Sequence, residues 1–324
     1  MAPRRGGINS AGAEFASGTG RFDSDASFAF YADRGFDLVR IPFRWESAQP
    51  QLGAPLDPAF LARLQAAVAS CTSRRMDCIL DVHNYGRYGG EPVGGPAVST
   101  AHLGDLWTRL AEVFRVDPRV ELGLMNEPHD MPGGAVGWQA AAQEAVDAVR
   151  ATGAENHVWV AGEAWSSAAS YADTHPTWWV DDPLSRSGPE AHYYFDVANQ
   201  RKGTYPNSFA VDDAAAVLQG FDSLRHQVEV ELGRFVAYCR GQGVRGLVGE
   251  IGWPSSEESA DHPADSPLWD AVGRTAYTAL GAGGLDVAQW AAGEQWGSAY
   301  NLSVYTGTPQ RRLTSVAEVI EPRR

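Results

Sequence analysis

Two glutamates in this 324-residue chain each follow a short apolar run. Glu127 ends the buried-looking stretch in "ELGLMNEPHD" (121–130), and Glu250 sits in "GLVGEIG" (246–252). A carboxylate at the end of a hydrophobic strand has either reached water or is held there for chemistry. Two carboxylates facing one small space can cleave a glycosidic bond. One, protonated, gives its proton to the leaving oxygen; the other, ionised, attacks the anomeric carbon or activates water. The environment then has to drive the two pKa values apart.

Other residue types suit that work. Arg40 could hold Glu250 ionised by a charge-assisted hydrogen bond, and Tyr194 could donate a second one. Asn126, His83 and His192 could bind sugar hydroxyls, and Trp290 offers a flat face for the apolar side of a pyranose. Trp45, Trp165 and Trp253 fall in or near predicted loops after strands two, five and seven, where further stacking platforms would lie. Glu14, Glu163 and Glu294 add acidic groups that either bind sugar hydroxyls or serve the structure. Asp81, two residues before His83, reads as a structural partner. Phe60, Trp107 and Phe114 read as helical core.

Eight apolar runs supply the strands: 6–9, 38–43, 78–84, 120–127, 157–162, 191–196, 246–252 and 287–293. Helical patterns separate them, at 58–70, 101–115, 137–152, 222–242 and 267–282. Continuous apolar strands alternating with helices predict a parallel sheet covered on both faces. Eight such units in a chain of this length predict a single-domain α/β (β/α)8 TIM barrel spanning residues 1–324. A doubly wound sheet is the alternative, but no GxGxxG follows a strand. Every predicted strand brings a polar residue to its C-terminal end, the rim on which barrel enzymes build their sites.

Composition narrows the partners. A formal charge of −14 argues against nucleic acid. No apolar run approaches the roughly 18–20 residues of a membrane span. A neutral partner or a solvated surface fits better; the expectation is a monomeric enzyme acting on a β-linked oligo- or polysaccharide, with neither metal nor organic cofactor required. A metal-dependent barrel hydrolase would want a His-x-His pair on an early strand, and "GGIN" has none. A carbohydrate-binding barrel that has lost catalysis would normally lack one of the two carboxylates. Of the three cysteines, Cys71 and Cys78 flank a helix-to-strand turn and could pair. "MAPRRGGIN" lacks the apolar stretch of a signal peptide; secretion is the expectation if an export signal has been trimmed, with a cytoplasmic location left open.

The segments "LVRIPF", "DVHNYGRY", "LMNEPHD", "AHYYFD", "VGEIGWP" and "QWAAG", in this order, resemble glycoside hydrolase family 5, the cellulase-type retaining glycosidases. The resemblance implies Glu127 as acid/base and Glu250 as nucleophile, with Arg40, His83, Asn126, His192, Tyr194 and Trp290 around them. "NSAGAEF", "MNEPHDMP" and "WAAG" look most like the endo-β-1,4-glucanase branch. The alternative is another β-linked glycan or glycoconjugate, cut internally or from an end; stretches 164–190 and 197–221 would decide between an open groove and a closed pocket. Retention predicts carboxyl groups about 5–5.5 Å apart.

Overall fold

Strand residues with both neighbouring faces apolar are stable only if something covers each face. In the Leu38–Phe43 strand all six residues are buried, because one face meets the barrel interior and the other the surrounding helices. A computed structural model of the chain describes residues 3–15, 20–195, 214–255, 266–296 and 300–322. Its eight barrel strands are β1 (Arg5–Ser10), β2 (Leu38–Phe43), β3 (Asp77–Val82), β4 (Val120–Gly123), β5 (Val158–Ala161), β6 (Ser187–Tyr194), β7 (Leu247–Gly252) and β8 (Asp286–Ala292). They are all parallel and pair in chain order, and β8 returns to β1 to close the barrel. The expected (β/α)8 barrel is the observed fold.

Local chemistry sets the helices around it. Asp57 caps the helix Pro58–Thr72 by accepting the Phe60 N–H at 2.6 Å, with proline in the first turn. Phe60, Leu64, Val68 and Cys71 then fall on one buried stripe. Ser99 and His102 form a reciprocal cap for Thr100–Phe114, which buries Leu103, Trp107, Leu110 and Phe114. In Gly134–Ala151, Trp138 is buried and its indole N–H donates to the Ala161 carbonyl at the end of β5 at 2.7 Å. Each fully buried side chain of this size contributes about 1.5–3 kcal/mol. Two further helices, Ala214–Gln242 and Ser266–Gly283, flank β7 in the chain. Among the described residues no helix is long and apolar enough to cross a membrane.

The end of the barrel opposite the strand C-termini is closed by ions. Arg5 reaches Asp77 at 2.6 Å, Glu121 at 2.9 Å and Asp286 at 3.1 Å, while Arg245 adds Asp286 at 2.7 Å and Glu121 at 3.1 Å. This plug belongs to the face that in barrels carries stability rather than chemistry.

Cys71 and Cys78, left open as a pair, are buried free thiols; the Cys71 thiol lies 3.7 and 3.6 Å from the Met76 and Asp77 carbonyls. Two strand bounds are corrected. Regular pairing of β4 stops at Gly123 rather than continuing to residue 127. The chain beyond keeps single ladder bonds, such as the Asn126 N–H to the Val82 carbonyl at 2.8 Å, and then turns into left-handed backbone at Glu127 (φ +39°). Conversely, β6 starts at Ser187, four residues before the predicted 191, because Gly188 and Pro189, usual strand breakers, are strand residues here.

Gly188 is there for space. A Cβ on it would lie 2.1 Å from the Arg245 carbonyl oxygen, a backbone atom that cannot step aside. Gly188→Ala should therefore lower the unfolding free energy by about 1–3 kcal/mol, read as an earlier midpoint in urea titration.

Candidate active site

The strand ends form a ring, and one cation organises it. The Arg40 side chain, wholly buried on β2, makes ion pairs to Asp81 on β3 (3.0 Å), Glu190 on β6 (2.8 Å) and Glu250 on β7 (3.0 Å). It also donates to the side-chain oxygens of Asn9 at 2.9 Å and Asn126 at 2.7 Å. Glu250 is thus held from one side by Arg40, and its other oxygen accepts the Tyr194 hydroxyl at 2.8 Å.

The two histidines of the ring are shifted in opposite directions. Burial depresses His83 to about 4, aided by the charge of Arg40 and opposed by Glu250. Neutral His83 donates from Nδ1 to Asp81 at 2.7 Å, which leaves Nε2 as an acceptor. Burial also works against protonated His192, but the charge of Glu250 and hydrogen bonds to Glu127 and Glu190 lift it to about 10. Imidazolium His192 sits 2.7 Å from Glu127 Oε1 and 3.5 Å from Glu250 Oε2.

Glu127, His192 and Glu250 have donor atoms all within 4.8 Å of one another. That spacing would suit a cation, and the protonated ring of His192 already provides one there. It also brings carboxylate oxygens of Glu127 and Glu250 closer than the roughly 6.5–9.5 Å left for a water in inverting glycosidases. Both glutamates open onto a cleft of about 1130 Å³ that His83, Tyr194, Trp290, His129 and Trp165 also line. Trp290 stacks on His83 at 5.4 Å and 18°, and its indole N–H donates to the Tyr300 hydroxyl at 2.7 Å. The amide Nδ2 of Asn126 is buried with no hydrogen-bond partner among the described residues. A buried donor left so is costly, and a ligand oxygen would relieve it.

Arg40, His83, Asn126, Glu127, His192, Tyr194, Glu250 and Trp290 therefore meet around one point, and Trp165, 50% exposed, stands at the cleft wall. Other expected residues do not line the cleft. Trp45 and Trp253 are fully buried; their indole N–H groups donate to Gln49 at 3.0 Å and Asp270 at 2.9 Å, so they are loop core and not platforms. Glu294 is no cleft residue: it accepts from the Ser24 N–H at 3.0 Å and the Ser27 hydroxyl at 2.6 Å, tying β8 to the first helix, Asp25–Asp33. Glu163 and Glu14 are also absent from the cleft lining. The Glu163 backbone N–H donates to His175 Nε2 at 2.9 Å, and Glu14 is turned inward, 9% exposed. The stretch 197–221 lies outside the residues whose side chains are described.

Glu190 was missed in the sequence, although a signal existed. It lies two and four residues before His192 and Tyr194 on the same strand, hence on the same face by the period of two. Its place is tight, since a Cβ on Gly249 would meet Glu190 Oε1 at 2.0 Å. His129 was also missed. The backbone here is strained: Glu127, Ala164, Trp165 and Ser166 have φ of +39°, +62°, +62° and +50°. Such residues cost of order 1 kcal/mol each and concentrate at functional sites.

The chain is similar to known proteins over most of its length. The family model "Cellulase (glycosyl hydrolase family 5)" matches residues 5–294. The manganese dependent endoglucanase Eg5A of Phanerodontia chrysosporium is 34% identical over 231 residues, 67% of this chain and 58% of its own length. Endoglucanase 1 of Saitozyma flava is 30% identical over 265 residues, covering 77% of this chain and 72% of that protein. XacCel5A, solved in complex with cellopentaose, superposes with a TM-score of 0.82 at 28% identity, covering 98% of both chains.

Glu14 generates a pH prediction. Burial pushes its carboxyl up to about 8, against the Gly12 N–H it accepts and with the charges of Asp81 and Glu250 adding to the rise. A folded pKa above the ordinary value near 4.5 stabilises the fold fully below that value, and the contribution is lost as pH rises through about 8. Glu14→Gln mimics the neutral acid at all pH. Thermal melts should show it gaining on the wild type between pH 4.5 and 8 and keeping the gain above.

Proposed function

The chain belongs to the cellulase family, glycosyl hydrolase family 5, and from that premise we propose that it is an endo-β-1,4-glucanase working by retaining double displacement. The observation that carries the reading is the approach of Glu127 and Glu250, bridged by His192, with oxygens within 4.8 Å. In the first step Glu250, aimed by Arg40 and Tyr194, attacks the anomeric carbon while Glu127 gives its proton to the departing oxygen. In the second, Glu127 takes a proton from a water whose oxygen attacks the anomeric carbon, which releases the sugar and restores the Glu250 carboxylate.

Electrostatics favour this exchange. When Glu250 becomes an ester it loses its charge, while Glu127 gains one by giving up its proton. His192, 2.7 Å from the one and 3.5 Å from the other, therefore faces a carboxylate charge before and after. Little reorganisation is needed during the step, which is the advantage of a preorganised site. The free amide hydrogens of Asn126 suit a hydroxyl next to the reacting carbon. Trp290 supplies a stacking face on the Glu250 side and Trp165 one on the Glu127 side.

The glucan follows from the named activities of the relatives and the cellopentaose bound to XacCel5A, and a polymer of that kind places the work outside the cell. Internal cleavage should make the viscosity of a soluble β-1,4-glucan fall well ahead of reducing-end release; glucose as the sole early product would overturn endo action. Glu250→Gln should lower turnover at least about a thousandfold. Glu127→Ala should be rescued by azide on an aryl β-cellobioside, because azide needs no general base, giving the β-configured glycosyl azide. An α-configured product would refute double displacement.

A further inference from the structure

Next to Glu127 the imidazole of His129 lies flat against the indole of Trp165, with ring centroids 3.6 Å apart and planes 7° from parallel. Both rings line the cleft. The imidazole is held at each nitrogen: Nδ1 donates to Asp130 at 2.8 Å, and Nε2 lies 3.3 Å from an Arg87 nitrogen that also donates to the His129 carbonyl at 3.0 Å. Trp165 is held by its backbone, whose N–H donates to the Pro128 carbonyl at 3.2 Å. Its half-exposed ring is stacked only on His129 among the described residues; Tyr85 meets it at an angle of 62°.

We propose that His129 is a positioning residue for the leaving-group side of the cleft: it backs Trp165 so that the indole presents its other face to the first sugar beyond the scissile bond. This rests on the reading of Glu127 as the acid/base. The acid/base protonates the oxygen that stays with the departing sugar, so the aromatic face beside Glu127 serves that sugar, whereas Trp290 and His83 lie with Glu250. A half-exposed Trp on a surface loop has several rotamers open to it. A flat partner clamped at both nitrogens removes most of them before substrate arrives, which lowers the ordering cost of binding.

The test compares two substrates. Cellopentaose places glucose units beyond the scissile bond, while β-cellobiosyl fluoride places none, because its leaving group is fluoride. For His129→Ala, kcat/KM on cellopentaose should fall about three- to tenfold, mainly through KM, and kcat/KM on the fluoride should stay within about twofold, inside the effect expected of a change away from the reacting centre. His129→Phe, which keeps the flat face but not the clamp, should recover part of the loss, and His129→Leu none of it. Since His129 acts through Trp165, the double variant with Trp165→Ala should lose no more than Trp165→Ala alone. Equal loss on both substrates, rescue by Leu as good as by Phe, or additive losses in the double variant would each overturn the proposal. A wild-type protein inactive on both substrates would instead overturn the functional reading, and this inference with it.

Discussion

A guanidinium that cannot lose its proton, placed where no water reaches it, imposes the main constraint on this structure. Arg40 is 0% exposed, and an unpaired charge there would cost several kcal/mol. The fold meets this by converging acceptors from different strands: Asn9 from β1, Asp81 from β3, Asn126 from beyond β4, Glu190 from β6 and Glu250 from β7. Only a closed parallel barrel delivers so many strand ends to one place. The supply exceeds one cation's need. Burial lifts Asp81 to about 7 in spite of Arg40, while Glu190, though buried, is pulled below its ordinary value by Arg40 and His192. His192 is the second cation that this surplus of carboxylates calls for.

The same surplus explains how two histidines in one ring differ. His83 has Asp81 on Nδ1 but Arg40 near enough to disfavour a second positive charge. His192 sits among Glu127, Glu190 and Glu250, and keeps its proton. A neutral ring offers an acceptor to a sugar hydroxyl, and the charged ring lies between the carboxyl groups of Glu127 and Glu250. Below this layer the interior is close-packed and closed by the Arg5–Arg245 plug. Above it, walls such as the Trp165 loop are made of strained backbone pinned by a few bonds. Glu250 and Trp290 thus stand on barrel strands, Glu127 just past the end of one in strained backbone, and Trp165 on a loop.

Much of this was legible in the residue order. The barrel follows from eight apolar runs of strand length alternating with helical stripes, a pattern that only a sheet covered on both faces accommodates. Glu127 and Glu250 were legible because a carboxylate directly after an apolar run has few other reasons to be there, and Arg40, His83, His192 and Tyr194 because each falls near the end of its run. Trp45 and Trp253 misled because loop position says nothing about which way an indole turns; both turned inward, where Gln49 and Asp270 accept their N–H groups. Cys71 and Cys78 were close in sequence and remained thiols.

Period and punctuation, then, determined which elements form and which polar residues arrive at the rim, since both are local properties of a chain. Sequence could not tell which of those polar groups share a neighbour. That Glu190 rather than Glu14 or Glu163 pairs with Arg40, that His192 is charged while His83 is neutral, and that His129 lies flat on Trp165 are all consequences of strand order and loop path. Distances between residues far apart in the chain, and the burial that amplifies every charge among them, exist only once the barrel has closed.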